Sequence, residues 1–120
     1  MMHTLPLVDP GRVAEMKADL GADILPDLLA LFLDEEGGIV ASLNGLTGTA
    51  AIHALHTLKG SAETMGMAAL ASACRAAERA LKAGEGYAPA EIDALFGASC
   101  AAFEAQIRNS ASIGSAVMSR

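Results

Sequence analysis

Five stretches of the chain carry apolar residues at helical spacing, and glycines separate most of them. Side chains three, four or seven positions apart share one face of an α-helix, so each stretch predicts an amphipathic helix with one buried stripe. A short first helix, opened by Pro10 and closed by Gly21, precedes four longer ones. The predicted inward residues, helix by helix, are Val13, Met16 and Leu20; Leu25, Leu29, Phe32, Ile39, Leu43 and Leu46; Leu55, Leu58, Ala62 and Met65; Met67, Leu70, Cys74, Ala77 and Leu81; and Ile92, Leu95, Phe96, Phe103 and Ile107.

Four amphipathic helices joined by short turns pack most simply as a bundle. The predicted fold is therefore all-α: an antiparallel up-and-down four-helix bundle with a short additional N-terminal helix. Asp23 and Thr49 are expected to cap the first and second of the long helices. The predicted domain boundaries are an N-terminal extension over 1–8, the bundle domain over 9–108, and a flexible C-terminal tail over 109–120, where the apolar period is lost.

Length and charge exclude several classes of function. A chain of 120 residues builds one core, and its net charge of −6 argues against nucleic acid, which requires a basic surface. No uninterrupted apolar run is long enough to cross a membrane, and the N-terminus lacks a signal-peptide pattern, so a cytoplasmic protein is expected. The two cysteines, Cys74 and Cys100, are expected to be reduced core thiols.

His56 is the residue to which the helical pattern assigns an unusual position. On a helical wheel it lies about 140° from the mean direction of the inward stripe, so its imidazole is expected to face solvent. Lys59 and Gly60 follow at the third and fourth positions and are its neighbours on the helix surface. His53 lies on nearly the same face, but its own neighbours at that spacing include neither a lysine nor a glycine.

This trio suits a residue that accepts a phosphoryl group. A neutral imidazole is a competent nucleophile near pH 7, because the unperturbed pKa of histidine is about 6.5. Lys59 can neutralise phosphoryl oxygens, and the bare Coulomb energy is of order 4 kcal/mol at about 4 Å and a surface dielectric near 20. Gly60 costs a helix interior about 1 kcal/mol relative to Ala, which is reasonable where another protein must approach closely.

The string His56-Thr57-Leu58-Lys59-Gly60-Ser61-Ala62, followed by Gly66, Leu70, Cys74 and Glu78, resembles the signature of histidine-containing phosphotransfer (HPt) domains. The resemblance implies a stand-alone phosphorelay intermediate whose His56 is phosphorylated on Nε2. Lys59 is then the basic neighbour and Gly60 the access residue. Lys82 matches a position where relatives often carry a basic residue facing the phosphoryl group. Glu78 stands where several relatives use Gln to hydrogen-bond the imidazole; a carboxylate could hold the proton on Nδ1.

The resemblance also implies the partners. These are receiver domains of response regulators and of a hybrid sensor histidine kinase, which supply the aspartate and the Mg²⁺; no cofactor of the chain's own is expected. No Gly-rich nucleotide loop occurs, so self-phosphorylation from ATP is not expected and the chain is a carrier rather than a kinase. A monomer is expected. Gly60, Ser61, Val13 and Met16 are the candidates for the partner-docking surface.

Three other interpretations stay open at this point. A metal site on His53 and His56 would need further ligands, and Glu63 is the nearby candidate. The dimerisation and phosphoacceptor module of a sensor kinase is also helical, but it typically has an acidic residue directly after the histidine and a proline soon after, where this chain has Thr57 and Ser61. A plain helical scaffold would explain the fold but not Gly60.

Overall fold

The computed structural model describes the backbone of residues 5–118 and the side chains of residues 5–109. Within that part of the chain the regular secondary structure is entirely helical, which confirms the all-α fold class. A 3-10 turn over Leu43–Gly45 follows the second helix. The helices are α1 Pro10–Leu20, α2 Ile24–Ser42, α3 Gly48–Thr64, α4 Ala68–Lys82 and α5 Pro89–Met118.

The four longer helices form a closed ring of contacts. Helix α3 packs between α2 and α4, and α5 contacts both α4 and α2, while α1 lies against α2 and α5. This arrangement confirms a helical bundle to which α1 is added. The antiparallel up-and-down order of the helices stays a prediction.

The core consists of the inward faces of all five helices, and most of the predicted stripe residues are in it. Leu55, Leu58, Ala62 and Met65 on α3 are all buried. Leu20 is an exception, because it ends α1 and points to solvent. Because the buried residues of α3 turn one face of that helix toward the core, the opposite face is outward, and it carries His56. Buried members of the other helices include Leu25, Leu29, Phe32, Leu70, Cys74, Ala77, Ile92, Phe96, Cys100 and Phe103.

Both cysteines are buried and free, as predicted for core thiols. Burial raises the pKa of the Cys74 thiol to about 12, and the nearby negative charge of Glu78 adds to the shift. The thiol therefore stays protonated at neutral pH and behaves as a small apolar side chain.

The helix starts differ in detail from those predicted. Helix α2 begins after Asp23 as expected, although the Asp23 side chain makes no capping hydrogen bond. Helix α3 begins one residue before Thr49, with Thr47 at the cap position, so the assignment of Thr49 as the cap is wrong. Gly48 explains the shift: its φ of 57° is a conformation that glycine adopts readily, and it lets the chain turn into the helix before Thr49. The side chain that does cap a helix is Asp9, which accepts a hydrogen bond from the Gly11 backbone N–H at 2.9 Å.

The segment before α1 closes the turn between α3 and α4. The Asp9 N–H donates to the Gly66 carbonyl at 2.8 Å, and the Ala69 N–H donates to the Pro6 carbonyl at 3.1 Å. Val8 is buried in the core. Residues 6–8, predicted to form part of an extension outside the domain, thus pack against it.

Helix α5 continues without a break through the predicted domain boundary at 108 and ends at Met118. Residues 119–120 and the side chains of 110–118 lie outside the described part of the chain, so the flexibility of the 109–120 tail stays a prediction. Within the described residues, no helix combines the length and apolar character that a membrane span requires.

Candidate functional site

Helix α3 presents the His56 ring outward, as the helical wheel predicts. Its side chain is 64% exposed, whereas Leu55 and Leu58 on the opposite face are fully buried. At Gly60 a Cβ atom would meet no heavy atom within 4 Å outside the helix's own backbone. The histidine therefore stands on an open surface, with a gap in the row of side chains one turn further along the helix.

A buried carboxylate from α4 lies directly behind this ring. The Glu78 side chain is only 8% exposed, and its Oε1 lies 3.3 Å from His56 Nδ1. Two lysines complete its surroundings: Lys59 Nζ lies 3.8 Å from Glu78 Oε1, and Lys82 Nζ lies 3.3 Å from Oε2. The structure thus brings His56 and Lys59 of α3 together with Glu78 and Lys82 of α4.

The surroundings of Glu78 decide its ionisation. Burial by itself raises the pKa of this carboxyl, but hydrogen bonds from Lys82 and His56 and the positive charge of Lys59 outweigh burial, and the pKa is lower than its usual value. Glu78 is therefore ionised at neutral pH. An ionised carboxylate has no proton to donate, so it accepts a hydrogen bond from His56.

The ionised state of Glu78 also fixes the tautomer of a neutral His56. Since Glu78 Oε1 only accepts, Nδ1 of the imidazole carries the proton in the 3.3 Å contact. The lone pair of the neutral ring is then on Nε2, the nitrogen further from Glu78. This is the arrangement of a nucleophile that is held by one nitrogen and reacts through the other.

The alternative metal site would use His53 and Glu63 together with His56. His53 is exposed on α3, whereas Glu63 forms an ion pair with Arg75 at 2.9 Å. Among the described residues no group of three or more His, Cys, Asp or Glu side chains is arranged to hold a metal ion.

The predicted docking residues separate into two groups. Gly60 is exposed and Ser61 is half-buried, next to it on α3. Val13 and Met16 are buried in the core, with 4% and 3% of their surface exposed. These two side chains thus expose little surface to a partner, although Val13 lines an open pocket between α1 and α5, and their assignment to a docking surface stays a prediction.

Sequence reasoning missed a group of exposed apolar side chains on α2. Ile24 and Leu31 are 43% and 53% exposed, and Leu28 between them is partly buried. These three residues, which we call the α2 apolar face, are spaced four and three apart, so they lie on one side of the helix. That spacing was visible in the sequence, but the longer stripe that begins with Leu25, Leu29 and Phe32 obscured it.

A second residue that sequence reasoning missed is Glu36, which is buried between α2 and α3. The acidic run in which it occurs suggests a solvated turn of helix, but Glu36 lies seven residues after Leu29 and four after Phe32, so it falls on the inward stripe.

Comparison with known protein families gives one match. The model of the family described as the Hpt domain matches residues 27–112 of the chain. No curated protein and no solved structure matched the chain. The matched range contains α3 and α4 with all four residues of the site around His56, whereas α1 lies outside it.

Proposed function

The chain belongs to the Hpt domain family, and from that premise we propose that it is a phosphorelay intermediate whose His56 takes a phosphoryl group from a receiver-domain aspartate and passes it to another. Hpt domains are phosphotransfer modules of two-component signalling rather than kinases. The donor, the acceptor and the residues that perform the transfer are part of the proposal. The single observation that supports it best is the exposed imidazole, held at Nδ1 by Glu78 and bordered by the open position at Gly60.

In the proposed reaction, Nε2 of His56 attacks the phosphorus of an aspartyl phosphate. The N–P bond forms as the P–O bond to the aspartate breaks, and the aspartate leaves as a carboxylate. Nδ1 keeps its proton throughout, so no base has to remove one. The phosphorylated ring then carries positive charge at Nδ1, which the Glu78 carboxylate at 3.3 Å stabilises.

The two lysines have a second role in this proposal. Lys59 and Lys82 each lie within 4 Å of Glu78 in the unphosphorylated site, where they compensate its buried charge. Their ammonium groups are donors on flexible stems, so they can turn toward phosphoryl oxygens once the group is on His56. A lysine reaches phosphate as a point charge and needs no fixed geometry to bind it.

Receiver domains would dock on the surface around His56. Ser61 of α3, which follows Gly60, lines one pocket with Leu28 and Leu31 of the α2 apolar face, and contiguous exposed apolar surface typically marks an interaction site. The receiver brings the Mg²⁺ and the aspartate, so the chain itself requires no cofactor in this scheme. A monomeric, cytoplasmic protein with antiparallel up-and-down helices remains part of the same proposal.

The decisive experiment mixes the protein with a phosphorylated receiver domain and follows transfer of acid-labile, base-stable label. We expect His56→Gln to abolish labelling, because it removes the imidazole whose reactive tautomer Glu78 holds in place. His53→Gln, on the same exposed face, is the matched control and is expected to label as the wild type does. Undiminished labelling of the His56→Gln protein would contradict the assignment.

A further inference from the structure

A pocket of about 200 Å³ opens between α2 and α3, close to Gly60. Leu28, Leu31 and Met65 contribute apolar walls, and Ser61, Glu35 and Glu36 contribute the polar part of the lining. Because Ser61 follows Gly60 directly on α3, the pocket lies within reach of a protein docked over His56. Its lining includes neither His56 nor the other three side chains of the site, Lys59, Glu78 and Lys82.

Glu36 is the unusual member of this lining. Only 7% of its surface is exposed, and its Oε1 has no hydrogen-bond partner in the described part of the chain. Ser61 donates one hydrogen bond to the carboxylate, and burial raises the pKa of Glu36 above its ordinary value. A buried carboxylate oxygen without a partner is unfavourable, and natural proteins tolerate few of them.

No positive charge of the same helix relieves this cost. Helix α2 contains Asp27, Asp34, Glu35 and Glu36 but no lysine or arginine. Lys59, the basic residue of α3, is directed to Glu78 instead, at 3.8 Å. Among the described residues, the lining of the pocket thus contains two carboxylates, Glu35 and Glu36, and no basic side chain.

We infer that this pocket receives a lysine or arginine side chain of the docked receiver domain, and that Glu36 is thereby a specificity-determining residue for the partner. The inference rests on the proposed phosphotransfer function. The methylene stem of such a side chain would pack on Leu28, Leu31 and Met65, and its cationic head would pair with Glu36. Rotation about the terminal torsion of Glu36, which is soft, presents either carboxylate oxygen to the incoming donor.

Other occupants fit the lining less well. An acidic side chain would be repelled by Glu35 and Glu36. A purely apolar side chain would match the leucines but would bury the carboxylate further without giving Oε1 a donor. A lysine or arginine side chain matches both parts of the lining, because its apolar stem can pack on the leucines and its cationic head can pair with the carboxylates.

The affinity of the pocket for a cation on an apolar stem can be measured without any partner protein. The wild-type protein is titrated with ethylguanidinium chloride at pH 8, and amide and methyl NMR shifts are followed at Leu31, Ser61 and Met65. Sodium chloride at equal ionic strength is the blank. We expect a saturable shift that weakens at least fivefold in Glu36→Gln, because the variant keeps the shape and loses the charge. Asp34→Asn, which removes an exposed acid of α2 outside the pocket, is the matched control and should bind as the wild type does.

Two results of this titration would overturn the inference: shifts no larger than those of sodium chloride, or equal binding by the wild type and Glu36→Gln. Thermal unfolding of each variant verifies the fold. Should Glu36→Gln fail to fold, Glu36→Met replaces it with an unbranched apolar side chain of similar length.

A second arm tests the receiver itself. Phosphotransfer from an aspartyl-phosphorylated receiver is measured as a function of its concentration. We expect Glu36→Gln to raise the KM for the receiver roughly tenfold and leave the maximal rate within about twofold, since the residue does not touch the reacting atoms. An unchanged KM would contradict the inference.

Phosphoramidate, a small phosphoryl donor that needs no docking surface, separates the two proposals. It should label His56 equally well in the wild type and in Glu36→Gln. Loss of labelling in Glu36→Gln would show that Glu36 acts on the histidine and would overturn its role in partner selection. Failure of receiver transfer in the wild type, with the ethylguanidinium titration as expected, would count against the phosphorelay function and not against the cation-binding pocket.

Discussion

Replacement of Gly60 should change stability and transfer in opposite directions. The position lies within α3, its φ is not positive, and a Cβ atom there would meet no heavy atom within 4 Å. Gly60→Ala therefore gains helix propensity without a clash, and we expect it to stabilise the protein by about 0.5–1 kcal/mol. For a domain of this size that corresponds to a rise in Tm of roughly 2–4 °C.

Transfer should fall with the size of the new side chain. A side chain on an α-helix leans toward the N-terminal end, so a residue at position 60 leans toward His56, one turn before it. Gly60→Gln would fill the gap through which a partner reaches the imidazole. Overpacking of a close contact typically costs about 1–3 kcal/mol, so we expect transfer to a receiver to slow by roughly tenfold or more, with Gly60→Ala intermediate.

Gly97→Ala is the control for this series. Gly97 is also within a helix, is exposed, and would place its Cβ in open space. It should raise Tm by a similar amount without an effect on transfer. Urea or thermal unfolding gives the stability, and label transfer under single-turnover conditions gives the rate. Wild-type transfer by the Gly60→Gln protein would refute the argument that this glycine provides access.

Two further predictions concern stability. Because the pKa of Glu78 in the folded protein is below its ordinary value of 4.5, its stabilising effect is fully present above that pH and is lost as pH falls through the lowered pKa. The unfolding free energy of the wild type should therefore drop more steeply below pH 4.5 than that of Glu78→Gln, and equal slopes in urea titrations would refute this. Gly66→Ala should destabilise the protein by about 1–3 kcal/mol, because Gly66 has a φ of 74° and a Cβ there would lie 2.8 Å from Arg12 Cβ. Gly84 has a φ of 78°, but a Cβ there would lie in open space, so Gly84→Ala should lose stability only through backbone strain. Equal losses of stability in the Gly66→Ala and Gly84→Ala proteins would show that the Arg12 contact is unimportant.

The sequence was most informative where one periodicity dominates. On α3, the stripe from Leu55 to Met65 is regular, so the outward direction of His56 followed from geometry alone, and the structure agrees. Lys82 and Glu78 could be associated with that ring only through the family resemblance, since no local pattern relates positions on two different helices. Their distances from one another come from the packing of α4 on α3.

Other features depend on interactions that a linear pattern does not contain. Val13 and Met16 were correctly placed on one face of α1, but which way that face turns is decided by its packing on α2 and α5. Glu36 belongs to an acidic run on α2. Helical periodicity places one member of that run on the buried face, but acidic residues generally prefer solvent, so the residue types in the run predict none of them to be buried. The start of α3 before Thr49 depends on the positive φ of Gly48. A glycine can adopt this conformation but need not, so the sequence alone does not predict it.

The turn at Gly66 joins α3 and α4, the two helices on which the His56 site is built. Residues near the N-terminus bind to this turn and stabilise it. Pro6 and Asp9 hydrogen-bond across it, and the Arg12 side chain donates to the Thr64 carbonyl at 2.9 Å. All three of these residues precede position 27, where the family match begins. The spacing between the His56 imidazole on α3 and the Glu78 carboxylate on α4 thus depends on a turn that residues outside the family match hold in place.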